Sequence, residues 1–267
     1  METTIFYILI FIIGTLFGSF STLAVYRLPL HKDITHERSF CPKCNHKLSF
    51  WDMIPILSYI LLGGKCRYCK EKIRIRYLLL EIFTGLVFLL FAVSLNINLI
   101  HIEISKLVYL IFGILYISGL IIIAGIDKEN KKISKGVLAY EIVVLSMYMI
   151  YLYIVEKANI YRYVIYLFVI LILLLIDTIK LKRLKIDSYL IQIIILCIVQ
   201  AVFTYSYGFV ITTIMVLFTI SIEIVIRKIF RKDKEYLAKL PIAYYLCITN
   251  IVSIIIINML ACRILIF

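Results

Sequence analysis

The chain has 267 residues, of which 63% are hydrophobic and only 17% are charged. Its mean hydropathy of +1.04 lies far from that of soluble domains, which excludes a soluble globular protein and predicts an all-α polytopic membrane protein. The net charge of +13 is explained by basic loops facing the anionic headgroups of the lipid bilayer. We therefore expect no nucleic acid partner.

Eight apolar segments are long enough to cross a bilayer, whose hydrocarbon core of ~30 Å needs ~20 apolar residues per helix. The first lacks a basic n-region and a small-residue cleavage site, so we expect it to be retained rather than removed as a signal peptide. The segments are residues 4–26, 78–97, 104–126, 137–155, 160–176, 188–206, 208–226 and 242–262. They predict a first transmembrane helix in 1–26, a polar module in 27–77 and a seven-helix core in 78–267.

Lysine and arginine are concentrated in alternate connections between these segments. Of the 29 basic residues, 25 fall in 27–77, 128–136, 178–187 and 227–241. Because such residues are retained on the cytoplasmic side, these four loops are predicted to be cytoplasmic. Both termini are then expected outside a bacterial cytoplasmic membrane.

The polar module contains two Cys-x-x-Cys pairs separated by twenty-one residues. They are CPKC, with Cys41 and Cys44, and CRYC, with Cys66 and Cys69. Two such pairs can direct four thiolates to one tetrahedral ion, so the spacing predicts a structural zinc ribbon. Two disulfides are one alternative, but thiols stay reduced in the cytoplasm. A part for these cysteines in redox chemistry or in methyl transfer is the other.

Between the two pairs lies LSFWDMIPILSYILLGGKC, residues 48–66, an apolar run too short to span the membrane. Trp51 and Tyr59 suit the headgroup level, so the run is interpreted as an interfacial helix. Asp52 is either a functional acid or a helix cap, and capping is the favoured interpretation.

Asp127 is the most informative acid, because it ends the apolar run IIIAGID and precedes the lysine-rich sequence KENKK. An acid at the end of an apolar helix is either an interfacial anchor or a functional group that faces the protein interior. Other acids in the predicted helices, Glu81, Glu141 and Glu223, are interpreted as polar contacts or partners of basic side chains.

The order of these motifs resembles the bacterial type IV prepilin peptidases. The resemblance is carried by GSFSTLAVYRLP, RSFCPKC, DMIPILSYILLGGKCRYC and IRIRYLLLE between Gly18 and Glu81, by the sequence around Asp127, and by KLPIAYYL, residues 239–246. Three positions depart from the family pattern. Thr22 stands in place of an asparagine, and Leu78 and Ser134 stand in place of prolines. The family's Gly-x-Gly-Asp motif is also missing.

The resemblance implies an intramembrane aspartic endopeptidase that removes the basic leader from prepilin or pseudopilin substrates at the cytoplasmic membrane face. It makes Asp127 the first catalytic aspartate. Asp187 is the favoured second, because it opens the segment 188–206 after a basic loop, where helix-terminal amides favour a carboxylate. Asp177, at the end of the preceding segment, is the alternative. Leu184 and Ile186 occupy the two glycine positions.

The resemblance also implies, for many members, methylation of the new amino terminus with S-adenosylmethionine. The sequence contains no glycine-rich nucleotide fingerprint after a strand, so this activity rests on analogy alone. Two other classes remain open, a transporter and a non-enzymatic scaffold. A transporter would place its acids near the bilayer midplane, whereas these acids cluster at one face. A catalytically altered scaffold that recruits a partner through its zinc ribbon is the stronger alternative.

Overall fold

The computed structural model of the chain describes residues 2–34, 38–98, 103–155, 161–179, 188–230 and 240–264. This part is all-α, as predicted, with two isolated β-bridges and no strand among the described residues. The helices are α1 (Glu2–Arg27), α2 (Leu57–Leu61), α3 (Arg76–Ser94), α4 (Ile104–Asn130), α5 (Lys135–Ile154), α6 (Tyr161–Ile179), α7 (Ser188–Phe203), α8 (Tyr205–Phe230) and α9 (Ile242–Ile264), with short 3₁₀ turns at Leu28–Leu30 and Phe50–Met53.

Each of the eight predicted apolar segments forms a helix. Five described helices are long and apolar enough to cross a membrane, at Thr3–Leu30, Arg76–Ser94, Ile104–Asn130, Lys135–Ile154 and Ile242–Leu260. Three further apolar stretches, Val164–Ile176, Ser188–Phe203 and Val210–Ile226, are shorter. The chain is therefore a membrane protein, and the count of eight spans stays a prediction.

The chain divides into two units, Met1–Leu110 and Ile111–Leu265. In the first unit, α1 packs closely against α3 because glycines remove side chains from the contact. A Cβ on Gly18 would lie 2.8 Å from the Cα of Glu81, and one on Gly14 would lie 2.7 Å from the Cα of Gly85. Small residues four apart allow membrane helices to approach in this way.

The run 48–66 differs from the single interfacial helix predicted for it. It forms the 3₁₀ turn Phe50–Met53 and the five-residue α2. The break lies at Pro55 and Ile56, where Ile56 has a φ of 62°. A β-branched residue in that region is strained, so helix cannot continue through it.

The second unit has a core of fully buried side chains from α4, α5, α7 and α9. Phe203 of α7 stacks on Tyr116 of α4, with ring centroids 4.2 Å apart. The Tyr116 hydroxyl donates a 2.8 Å hydrogen bond to Oδ1 of Asn250 on α9, and both residues are completely buried. Polar side chains that pair across helices in this way fix the helix register in an apolar interior.

Candidate active site and metal centre

Asp127 lies in the last turn of α4, which continues three residues beyond the acid to Asn130. The apolar sequence before it, Ile121–Ile126, packs into the core, and Asp127 itself is 0% exposed. A buried carboxylate needs hydrogen-bond donors to offset its lost hydration. The protein supplies them from two distant segments.

Both oxygens of the Asp127 carboxylate accept hydrogen bonds. The Tyr189 hydroxyl donates to Oδ1 at 2.8 Å, and the backbone N–H of Tyr244 donates to Oδ2 at 2.9 Å. The Ala243 N–H in turn points at the Tyr189 hydroxyl oxygen, at 3.4 Å. Asp127 therefore joins the first turn of α7 to the first turn of α9.

The contact with α9 has a simple electrostatic basis. Pro241 directly precedes α9, and the amides of the first helical turn have no partner within their own helix. The positive end of the helix dipole favours a carboxylate at this position. Lys128, next to Asp127, lies over the Tyr244 ring at 4.8 Å and adds a cation–π contact to the same helix start.

The second proposed catalytic acid, Asp187, falls outside the described residues, and so does the basic loop that precedes it. The alternative, Asp177, belongs to the last turns of α6. The described part of α7 begins at Ser188, directly after Asp187 in the sequence, and the start that the sequence predicts for this helix stays a prediction.

The sequence did not indicate that the Tyr189 hydroxyl and the Tyr244 amide donate hydrogen bonds to Asp127. The motif KLPIAYYL did indicate the entry to α9, which contains that amide. For Tyr189 the available signal was its position two residues after Asp187, at a helix start beside a basic loop.

The four predicted metal ligands come together. The Sγ atoms of Cys41, Cys44, Cys66 and Cys69 all lie within 4.8 Å of one another, and those of Cys41 and Cys69 are 3.7 Å apart. In a tetrahedral zinc site, with Zn–S bonds of about 2.3 Å, neighbouring sulfurs are about 3.8 Å apart. The cluster therefore fits one tetrahedral metal ion.

The two cysteine pairs occupy matching backbone turns twenty-five residues apart. The Cys41 N–H donates to the His46 carbonyl and the Asn45 N–H to Cys41, while the Cys66 N–H donates to the Glu71 carbonyl and the Lys70 N–H to Cys66. Asn45 and Lys70 both have positive φ, at 56° and 60°. Each turn thus reverses the chain immediately after its second cysteine. This reversal directs both sulfurs of the pair to one point.

The four thiols interact strongly with one another. Burial raises the pKa of Cys41, but hydrogen bonds at Cys44 and Lys43 lower it to about 7. The backbone of Glu71 lowers the pKa of Cys69, but burial and hydrogen bonds with the other three thiols raise it to about 12.

Asp52 takes the capping role favoured from the sequence, although not as the N-cap itself. Its carboxylate accepts hydrogen bonds from the backbone N–H and the hydroxyl of Ser49, at 3.3 and 2.7 Å, which completes a capping box. Arg67 adds a 2.7 Å ion pair. Burial favours a higher pKa for Asp52, but the Ser49 and Arg67 contacts hold it below its ordinary value.

Two further acids, Glu81 and Glu141, differ in their hydrogen bonding. Glu81 on α3 accepts a 2.8 Å hydrogen bond from the Ile56 N–H, so it anchors the strained turn of the polar module. Glu141 on α5 is 0% exposed, and neither of its carboxylate oxygens has a hydrogen-bond partner among the residues that the structure describes.

Comparison with known proteins agrees with the sequence motifs. The family model of the bacterial peptidase A24 N-terminal domain matches residues 12–95, which include α1 from its middle, the cysteine cluster and α3. Residues 12–95 are therefore similar to the N-terminal domain of the bacterial A24 peptidases. The resemblance recognised between Gly18 and Glu81 is thereby confirmed.

Curated relatives of the chain are named prepilin leader peptidase/N-methyltransferase. The Vibrio cholerae relative is 44% identical over 86 residues, which are 29% of this chain and 34% of the relative. The Klebsiella pneumoniae relative is 32% identical over 133 residues, which are 48% of this chain and 54% of the relative. The Bacillus subtilis relative is 33% identical over 132 residues, which are 49% of this chain and 50% of the relative. The matches thus span between about a third and about half of these relatives. No solved structure is significantly similar to the chain.

Proposed function

We propose that the protein is an intramembrane aspartic endopeptidase that removes the basic leader from prepilin-like proteins at the cytoplasmic membrane face. Its relatives are named for prepilin leader cleavage, and its similarity to the A24 N-terminal domain links it to them. The observation that carries the proposal is Asp127, a carboxylate with no exposed surface, at the end of an apolar helix and held by donors from two other helices.

In this proposal Asp127 works with Asp187. Tyr189, the side chain that contacts Asp127, lies only two residues after Asp187 in the sequence, and this connectivity supports Asp187 over Asp177. Two carboxylates that face each other share one proton, because like charges disfavour double ionisation. One acid then takes a proton from the attacking water, while the other donates a hydrogen bond to the scissile carbonyl.

The ion held by Cys41, Cys44, Cys66 and Cys69 is proposed to be zinc. Four thiolates in a closed tetrahedral set are typical of structural zinc, which contributes folding energy and leaves no open position for a substrate. Methylation of the cleaved product by S-adenosylmethionine would be a second activity, supported by the names of the relatives.

The test is co-expression of the full chain with a candidate prepilin, scored by removal of the leader. Asp127→Asn and Asp187→Asn should each abolish cleavage while membrane insertion stays intact, and Asp177→Asn should be tolerated. If Asp177→Asn abolishes cleavage and Asp187→Asn does not, the second acid is Asp177. Normal cleavage by both the Asp127 and the Asp187 variants would exclude the aspartic mechanism.

A second candidate is a membrane scaffold that recruits a partner through the cysteine cluster. It is favoured by the replacement of the family's two glycines by Leu184 and Ile186, since glycine permits close approach of a backbone to an extended substrate. A wild-type chain that cleaves no tested prepilin, yet retains one through residues 38–76, would support the scaffold.

A further inference from the structure

The polar module exposes a group of large apolar side chains on the segment between its two cysteine pairs. Phe50 and Trp51 are each 70% exposed, and Leu57, Ile60 and Leu61 are 57%, 63% and 82% exposed. We call these five side chains the apolar face. They belong to the 3₁₀ turn Phe50–Met53 and to α2, which contact each other, and exposed apolar side chains grouped in this way are unfavourable in water and indicate an interaction surface.

The apolar face is fixed at the level where a membrane-spanning helix begins. The Ile56 N–H, between the 3₁₀ turn and α2, donates to Glu81, and Glu81 is the sixth residue of α3. At a rise of 1.5 Å per residue, this contact lies about 8 Å inside the start of the helix. The segment therefore lies beside the first turns of α3 instead of projecting away from the membrane.

The same bond explains why a strained conformation persists at Ile56. A non-glycine φ of 62° survives only where surrounding contacts enforce it. The Glu81 carboxylate satisfies the amide at the strained residue, and Gly18 of α1 packs against the Glu81 backbone. The apolar face is thus held by two packed helices.

The segment that carries the apolar face is mostly positively charged. Residues 41–76 contain eight lysines and arginines but only two acids, Asp52 and Glu71, and Asp52 is buried and paired with Arg67. Aromatic and aliphatic side chains bordered by basic residues bind the headgroup region of anionic membranes. The same positive charge disfavours docking of a basic peptide.

We propose that the apolar face is a docking surface for the anionic lipids of the protein's own membrane. Phe50, Trp51 and α2 enter the headgroup region, while the surrounding lysines and arginines contact lipid phosphates. The consequence is that the cysteine cluster is held at the membrane surface. This inference does not depend on the proposed peptidase activity.

Trp51 is the only tryptophan of the chain, so its fluorescence reports on the apolar face without labelling. The full chain would be reconstituted in vesicles of phosphatidylethanolamine and phosphatidylglycerol, with acyl-chain-brominated lipid or with iodide on both sides of the membrane as quenchers. We expect blue-shifted emission, strong quenching by brominated lipid and protection from iodide.

The matched control moves the tryptophan to the metal-binding turn. Tyr68 lies between Cys66 and Cys69 and is 44% exposed. Outside the headgroup region, Tyr68→Trp in a Trp51→Phe background should be quenched several-fold more by iodide than Trp51. In phosphatidylcholine vesicles the blue shift of Trp51 should decrease. It should also decrease in the Lys65→Gln, Lys70→Gln, Lys72→Gln triple variant.

Three results would overturn the proposal. Iodide quenching of Trp51 as strong as that of the control tryptophan would show that the apolar face lies in water. Equal emission in the anionic and zwitterionic vesicles would remove the role of anionic lipid. Protection of Trp51 only after a prepilin is added would identify the apolar face as a protein-binding surface.

Discussion

The carboxylate of Asp127 accepts a hydrogen bond from the backbone amide of Tyr244, which follows it by 117 residues in the sequence. Among substitutions at Tyr244, only proline would remove this amide donor, so the position of the acid depends on where α9 begins. Pro241 ends the preceding loop directly before that helix, and proline is well suited to helix starts.

The first prediction concerns the other donor to Asp127. Tyr189→Phe removes the hydroxyl that binds Oδ1 and keeps the ring. A hydrogen bond to a charged group contributes about 1.5–3 kcal/mol, so prepilin cleavage should slow by about 10- to 100-fold. The measurement is the rate of leader removal by purified protein.

The matched control is Tyr153→Phe, the same chemical change on a side chain that is 56% exposed in α5. It should leave the cleavage rate unchanged. A Tyr189→Phe protein that cleaves at the wild-type rate would show that the hydroxyl serves packing only.

The second prediction concerns the cysteine cluster. Cys41→Ser removes one of four ligands from a closed tetrahedral set, so bound zinc and the yield of folded protein should both fall, because a structural metal contributes folding energy. The cleavage rate per folded molecule should change less. Cys197→Ala, in α7, should keep the metal. Protein purified without oxygen that contains no zinc would contradict the assignment.

The features that could be predicted from the sequence are those that depend on residues close together in the chain. The Cys-x-x-Cys spacing determined the ligand set, and the apolar runs determined the helices, because both patterns act within a few residues. The partners of Asp127 were not predictable, since Tyr189 and Tyr244 lie 62 and 117 residues away and meet it only through helix packing. Likewise, the break at Ile56 depends on Glu81, twenty-five residues later, which no local pattern indicates.

The third prediction concerns pH. The pKa of Asp52 is held below its ordinary value by Ser49 and Arg67, so this carboxylate stabilises the polar module above the unfolded-state pKa of about 3.9. The stabilisation is lost as the pH falls through the lower folded-state pKa. Asp52→Asn should therefore lower stability by about 1–3 kcal/mol at neutral pH, and the difference from wild type should disappear in stronger acid.

Thermal unfolding of both proteins in detergent, followed by Trp51 fluorescence across this pH range, measures that difference. Glu71→Gln, which changes an exposed acid of the same module, is the control and should show little effect. A difference between wild type and Asp52→Asn that persists unchanged in strong acid would show that the carboxylate charge is not the cause.

The fourth prediction is topological. The basic loops place Lys131 on the cytoplasmic side and Lys157 outside. Cysteine introduced at position 131 should react with a membrane-impermeant maleimide only after the membrane is opened, whereas cysteine at position 157 should react in intact cells. A cysteine-free background with normal insertion is the required control. The opposite pattern at either position would reject the proposed orientation.

The last prediction concerns Glu141, whose two buried carboxylate oxygens have no hydrogen-bond partner in the described part of the chain. An unpartnered buried polar group costs about 1–3 kcal/mol, so Glu141→Met, which keeps a similar volume, should raise the thermal unfolding temperature. Gly119→Ala should lower it, because the added Cβ would run into Oε1 of Glu141, and overpacking costs about 1–3 kcal/mol. Combining Gly119→Ala with Glu141→Ala should relieve that clash. If Glu141→Met instead destabilises the protein, or abolishes cleavage while the fold stays intact, the acid has a partner or a role that outweighs the cost of its burial.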